Sequence, residues 1–254
     1  MDIDIYNSIM QKGGYKILNK VVYKFANKAR DFINGISTNS LDKGKNAFVD
    51  PFGKLVILFD QIVLDDDVYV IFNQEFEQCF LDHLKTYMKF TKTVAEKLDI
   101  KVVHVILPNN EIDNNHIGET VSKFDRTIKQ EIGFLILTKN EIRNLEKIPD
   151  DIYTIIRTEN NIPEQGMDFD QEMLLNIYPK AFSNTKGCFL GQEILARVHN
   201  IGKPPKKLIR LAYENQPNKD IIITSACYSP KFNKNIGFAI VPRNIQIDNG
   251  EIIN

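Results

Sequence analysis

The chain is expected to fold as an α+β protein ending in a small β-domain, and three observations point there. Strand-like and helical segments are mixed, but without the regular strand–helix–strand rhythm that builds a parallel sheet. After Gly202 the pattern changes to short apolar runs broken by Asn, Pro, Gly and Lys, as expected for short strands joined by turns. At 254 residues, with 43% hydrophobic and 26% charged content, the chain has apolar material for a sizeable core. These features divide it into a body over residues 1–202 and a C-terminal β-domain, read as a partial barrel, over residues 203–254.

Taken in order, Val21–Phe25 has strand composition, and Asn27 is placed to cap a short helix with Ala29, Phe32 and Ile33 on one face. Residues 46–49 and 55–59 flank Pro51-Phe52-Gly53, a hairpin signal. Asp65-Asp66-Asp67 reads as a solvated turn before a strand over Val68–Phe72. The clearest helix runs from about Gln74 to Phe90, with Phe76, Cys79, Phe80, Leu84, Tyr87 and Met88 as its buried stripe. His83 falls on its polar edge. Strands follow at Lys101–Leu107 and Gly133–Leu137, with loop or a small hairpin over residues 108–130. Asp150 or Asp151 caps a helix reaching Glu159. The C-terminal strands are expected at Leu208–Ala212, Ile221–Thr224, Ile236–Val241 and Ile245–Ile253, with Cys227 in a turn over Ser225–Pro230.

The net charge of -1 provides no global field for nucleic acid or an anionic membrane. No apolar run reaches the roughly 18 residues of a membrane-spanning helix, and the start Met1-Asp2-Ile3-Asp4-Ile5 is acidic where a leader would be basic. A cytoplasmic protein without membrane contact is expected. Cys79, Cys188 and Cys227 are odd in number and widely spaced, which does not suggest a disulfide framework. His199 follows Cys188 without further clustered ligands, so no structural metal is expected.

The most informative stretch is Lys186-Gly187-Cys188-Phe189-Leu190-Gly191-Gln192-Glu193, continued by Ile194-Leu195-Ala196-Arg197. It reads as a loop running into a helix near Gln192, with Gly187 and Gly191 free to take positive φ. The helix start and Lys186 are surroundings that lower a thiol pKa, making Cys188 available as a nucleophile or metal ligand. The same residues also suit a small buried hydrophobe in a tight turn. A second cluster, Lys203, Lys206, Lys207 and Arg210 around Pro204-Pro205, suits phosphate, the carboxylate tail of a ligand or tRNA, or simply a solvated loop.

The string K-G-C-F-L-G-Q-E resembles the K-G-C-[FY]-x-G-Q-E signature of the YgfZ family, a branch of the GcvT-like aminomethyltransferase superfamily. Ala196-Arg197 and Gly202 match its continuation. Phe32–Asn39, with Gly35, Thr38 and Asn39, is similar to its F-L-x-G-x-x-T-N element, and Asn46–Lys54 to its strand–turn–strand. Arg157-Thr158-Glu159 through Ile162-Pro163 is similar to its R-x-E-x-G-I-P element.

The resemblance implies a folate-binding body whose central cavity admits tetrahydrofolate or a one-carbon derivative. Glu159 would meet the pterin, with Arg157 beside it and Gly35–Asn39 backbone nearby. Cys188 would stand at the cavity mouth with Lys186, Gly187, Gly191, Gln192, Glu193 and Arg197 around it. It also implies support of iron–sulfur cluster assembly or repair through client or assembly proteins, including enzymes that modify tRNA, with a weak tRNA contact. Three departures stand out, and one is that the region after Gly202 is short for the family's C-terminal barrel, so a reduced domain is expected there. Asn161 replaces a glycine, and Ile57 and Leu58 occupy the window where aminomethyltransferases carry an aspartate, leaving Asp60 displaced from it. The alternatives are a folate-dependent aminomethyl transferase and a tRNA-interacting module.

Overall fold

A computed structural model describes residues 2–108, 126–218 and 220–253. The first sheet combines β2 (Lys20–Ala26), β3 (Lys45–Val49), β4 (Leu55–Leu64), β5 (Asp67–Asn73) and β6 (Val94–Leu98) in the antiparallel order β3-β4-β5-β2-β6. Period-two alternation gives it two buried faces. Val21, Tyr23, Phe25, Ile57 and Phe59 turn to a core shared with α2 (Ala29–Ile36) and α3 (Glu77–Met88). Val22 and Ile71 turn the other way, toward the second sheet.

That sheet comprises β1 (Gly14–Leu18), β7 (Lys101–Ile106), β8 (Arg126–Lys129), β9 (Phe134–Thr138) and β10 (Glu146–Lys147) in the order β10-β1-β7-β9-β8. The helices α1 (Ile3–Lys12) and α4 (Asp150–Glu159) bury Tyr6, Ile9, Ile152, Tyr153, Ile155 and Ile156 together against it. A short α5 (Leu174–Ile177) and α6 (Gln192–Ile201) cover the far side of β3 and β4. Finally β11 (Lys206–Tyr213), β12 (Thr224–Ser229), β13 (Lys234–Pro242) and β14 (Gly250–Ile252) form a four-stranded antiparallel sheet in the order β12-β13-β11-β14.

Most expected elements are present, and the differences have physical reasons. Neither α1 nor β1 was expected; Asp2 starts α1 by accepting the Asp4 and Ile5 N–H groups. Asn27 does not cap α2, because Asn27 and Lys28 both sit at positive φ and neither side chain reaches the first turn. Pro149 precedes α4, and Asp150 and Asp151 lie in its first turn, where they face the helix dipole instead of capping it. Cys79 is exposed, since it lies about 100° around the helix from Phe80. Cys227 is half-buried in β12, opposite Ile236 of β13, and not in a turn. Asn161 does accept the unusual backbone, with φ 56. Residues 109–125 of the expected loop lie outside the described residues, and β8 begins at Arg126.

One buried ion pair joins these parts. Arg157 of α4, 2% exposed, donates to Asp168 Oδ2 at 2.6 Å, with the Asp168 side chain fully buried. Asp168 Oδ2 also accepts the Glu164 N–H at 2.8 Å, and its Oδ1 accepts the hydroxyls of Thr224 at 3.0 Å and Ser225 at 2.5 Å. Arg210 of β11 donates to the Thr158 and Glu159 carbonyls, placing a cation on the last turn of α4. The helix, the 162–168 loop and the C-terminal sheet are thereby held as one junction.

Two histidines, His104 buried and His83 half-buried, act against stability in acid. His83 stacks between Phe48 and Tyr87, each at 5.2 Å, and its buried Nε2 has no partner among the described residues. The sequence suggested a polar edge for it; instead β3 covers that edge with Phe48. His104 lies between the Tyr153 hydroxyl at 2.9 Å and the Ile132 carbonyl at 2.7 Å. Burial pushes both imidazoles from 6.5 down to about 4.

Removing the Asp168 carboxylate leaves a buried guanidinium uncompensated. Asp168→Ala is expected to cost about 3–5 kcal/mol in urea unfolding. Asp150→Ala, which breaks the solvated Lys16 pair, should cost less than about 1 kcal/mol; equal effects would contradict the junction's role. The histidines make a second prediction. Between about 6.5 and about 4 the unfolded chain binds protons that the folded chain refuses, so stability falls as pH drops through that window. His83→Phe should flatten part of this fall, and an identical pH–stability curve would count against the assignment.

Candidate functional site

Three adjoining cavities run between the two five-stranded sheets and the C-terminal sheet. The central one, about 40 Å3, holds roughly one water-sized group. It is lined by Lys20, Lys45, Asp60, His104, Gln130, Tyr153 and Glu164, among others. A cavity of about 450 Å3 shares Leu18, Asn73, Tyr153 and Glu164 with it, and one of about 460 Å3 shares Pro163. The larger two lie in the size range of small-molecule sites.

The central cavity is a charged constriction. Lys45 Nζ meets Asp60 Oδ1 at 2.7 Å, and Gln130 donates to the same carboxylate at 3.2 Å. Burial alone would raise the Asp60 pKa, but Lys45 and Lys20 hold it below the usual carboxylate range. Burial likewise opposes charge on Lys45, yet Asp60 keeps its pKa above the ordinary lysine value. Lys20 is different: burial pushes its pKa down against the pull of Glu164, whose nearest oxygen is 3.9 Å away. Asp60, expected to be displaced, therefore lines the interior. It shares a strand face with Leu58, opposite Ile57 and Phe59.

Glu159, expected to meet a pterin, borders the 460 Å3 cavity together with Asn160, Asn161, Tyr178, Lys180, Arg210 and Lys231. Its carboxylate is already engaged. Oε2 accepts from the Tyr6 hydroxyl at 2.7 Å, and Oε1 accepts from the Ser229 hydroxyl and from the Lys231 N–H at 3.2 Å. Arg157 is committed to Asp168.

The Gly35–Asn39 element also serves the fold. Thr38 Oγ1 donates to the Ala181 carbonyl at 2.6 Å, and Asn39 Nδ2 donates to the Lys45 and Lys180 carbonyls at 3.1 and 3.0 Å. Gly35 lies within α2 facing open space, so nothing nearby requires a glycine there.

The Cys188 loop lies elsewhere. Gly191, at φ 78, sits at the N-cap of α6, and a Cβ there would meet the Asp50 carbonyl at 2.4 Å. The loop is thus seated on the β3–β4 hairpin. Gly187 has no positive φ and faces open space, so that expectation is corrected.

Lys186 does not pair with a thiolate. Its ammonium donates to the Asn34 and Ser37 carbonyls at the end of α2, stands 5.1 Å from the Phe189 ring, and is brought by burial to about 8. Gln192 Nε2 donates to the Lys186 carbonyl at 3.4 Å, while Glu193 and Arg197 are exposed. Cys188 is exposed and lines none of the three cavities, contrary to a place at their mouth.

The basic cluster is split, with Arg210 turned inward and the three lysines left outside. Arg210 is buried against α4, Lys206 pairs with Glu172 at 3.1 Å, and Lys203 is exposed. Among the described residues no group of three or more His, Cys, Asp or Glu is arranged to hold a metal ion, and no helix is long and apolar enough to cross a membrane. Lys20 and Glu164 were not singled out from the sequence; they are far apart along the chain and share no motif.

Comparison with known proteins fits this architecture. No family model matches the chain. An iron-sulfur cluster assembly factor IBA57 homolog, mitochondrial, from Candida glabrata is 34% identical over 56 residues, which is 22% of this chain and 11% of that relative. One of the same description from Mycosarcoma maydis is 33% identical over 66 residues, 24% of this chain and 16% of that relative. The match thus spans well under two thirds of either. An uncharacterized protein from Haemophilus influenzae is 23% identical over 181 residues, 69% of this chain and 62% of that protein. In three dimensions the chain is similar to the glycine cleavage system aminomethyltransferase T from Bartonella henselae, with a TM-score of 0.75 at 13% identity, over 94% of this chain and 81% of that one. The chain has the aminomethyltransferase-type fold.

Proposed function

We propose that this protein is a folate-binding accessory factor of the YgfZ type that supports iron–sulfur cluster assembly or repair, with tetrahydrofolate or a one-carbon derivative bound inside the body. In this reading residues 203–254 form a unit of their own, packed on α4. The segment matches to proteins described as iron-sulfur cluster assembly factors support the role, and the aminomethyltransferase-type fold supports an interior folate site. The two large cavities fit such a ligand by volume, and the constriction between them supplies polar partners.

The observation that carries the reading is the exposure of Cys188 on a loop held rigid by Gly191 and Lys186, away from all three cavities. A thiol outside the folate compartment is poorly placed to attack a one-carbon group held within it. It is well placed to face a partner protein, as a transient cluster ligand or an exchanging thiol. Client or assembly proteins of the cluster pathway are the partners we assign to it.

Asp60 supports a second reading, a folate-dependent aminomethyl transferase, because it brings a carboxylate into the interior. Its charge is committed to Lys45 and Gln130, which disfavours it as a free acid–base group. A tRNA contact would have to rest on Lys203, Lys206 and Lys207, since Arg210 is buried against α4.

The roles separate in cells that lack the protein. Cys188→Ser should fold and bind tetrahydrofolate as the wild type does, yet leave cluster-dependent enzymes at the activity of the deletion. Full restoration of those enzymes by Cys188→Ser would overturn the assignment.

A further inference from the structure

We propose that Met167 is a site of reversible oxidation by hydroperoxides, its sulfoxide oxygen being held by the buried guanidinium of Arg157. The inference goes beyond the folate and cluster reading and does not depend on it.

The first argument is access. Met167 is 59% exposed, and it lines the 450 Å3 cavity beside Glu164 and Gly166. Among the described residues the other methionines are Met10, Met88 and Met173, each half-buried and packed against a hydrophobic core. An oxidant must reach a lone pair on the sulfur, so exposure puts Met167 first.

The second argument is the partner that waits for the product. Arg157 Nη1 donates to the Ile162 carbonyl at 3.2 Å and to Asp168 Oδ2 at 2.6 Å. Its Nη2 meets the Ser225 hydroxyl and the Met167 sulfur, the latter at 3.7 Å. Its buried Nε has no partner among the described residues. A guanidinium carries five N–H donors and keeps its charge, and a thioether is a weak acceptor. This cation, 2% exposed, is therefore short of good acceptors. Oxidation turns the sulfur into a polar sulfoxide whose oxygen is a strong acceptor. The unbranched side chain can rotate that oxygen toward Nη2 while staying at the surface, so no new polar group is buried.

The third argument is what the bond would hold. The Asp168 N–H donates to the Glu164 carbonyl and the Gly166 N–H to the Phe169 carbonyl, both at 2.8 Å. The Met167 N–H makes a longer bond to the Glu164 carbonyl, at 3.3 Å. A sulfoxide bonded to Arg157 would tie the loop at this looser point. The same loop lines the constriction from Ile162 to Gln165, so oxidation at the surface would stiffen a wall of the interior.

The chemistry balances with a hydroperoxide as the only co-reactant. With hydrogen peroxide, a sulfur lone pair attacks one oxygen, the S–O bond forms and the O–O bond breaks. The departing hydroxide takes the proton of the transferred oxygen and leaves as water. Sulfur is oxidised by two electrons and the peroxide is reduced by two. A thiol-dependent methionine sulfoxide reductase reverses the step, oxidising two thiols to a disulfide and releasing water.

The test treats the full chain with limiting hydrogen peroxide, then with dithiothreitol, which restores reversibly oxidised cysteines and leaves sulfoxides in place. Peptide mass spectrometry locates the added oxygen, and thermal melting follows its effect in wild type and Met167→Leu. Met167 should be oxidised ahead of Met10, Met88 and Met173. The oxidised wild type should melt about 2–4 °C higher, as expected for one added bond to a charged group. Both methionine sulfoxide reductase types together should return it to the starting value, and Met167→Leu should show no shift. Oxidation of the other methionines before Met167 would overturn the proposal. So would an unchanged or lowered melting temperature in protein oxidised at Met167, or an equal rise in Met167→Leu.

Discussion

The pairing of Arg157 with Asp168 is the interaction on which the interior of this protein depends. Both groups are out of water, and each is tolerable there only because the other is present and further donors and acceptors complete the set. The consequence is geometric. Asp168 collects the end of α4, the Glu164 N–H and the first residues of β12 at one carboxylate. The short segment from Ile162 to Gln165 then has little freedom, and it lines the constriction along its length.

The molecule keeps two kinds of chemistry apart. Inside, lysines and carboxylates face each other across a space the size of a water molecule, where each charge shifts its neighbours and an unmet group is costly. Outside, Cys188 is carried on a loop whose rigidity comes from close backbone contact at Gly191 and from the Lys186 ammonium gripping the end of α2. The signature around Cys188 is thus explained largely as architecture. Gly191 is needed for its φ and its approach to Asp50, Lys186 closes a helix terminus, and Gln192 ties back to Lys186. Cys188 has no such duty to the fold, which leaves its thiol free for a partner.

Much of this was legible in the sequence because the signals were local. The hairpin around Pro51-Phe52-Gly53, the apolar face of α2 and the helix starting at Gln192 follow from turn chemistry and periodicity. Cys227 was misplaced because its strand is defined by pairing with β13, a long-range event the local Ser–Pro composition obscures. Asp60 was within reach of a period-two reading of β4, which sets it opposite Ile57 and Phe59. The Glu164–Lys20 pair was not within reach, because no spacing or motif links residues that meet only when the two sheets close. The contacts of Glu159 were likewise beyond motif matching: its carboxylate borders the 460 Å3 cavity while also accepting bonds from α1 and the C-terminal sheet.

The account's central claim is that ligand recognition happens in the interior, in the cavities between the sheets, while the cysteine loop faces outward. Hydrogen exchange of the backbone amides, compared with and without tetrahydrofolate under anaerobic conditions, tests it most directly. The account predicts added protection in residues 18–20, 58–60 and 159–168, with the 186–193 loop unchanged. Protection confined to the 186–193 loop, with the interior segments exchanging as before, would contradict it.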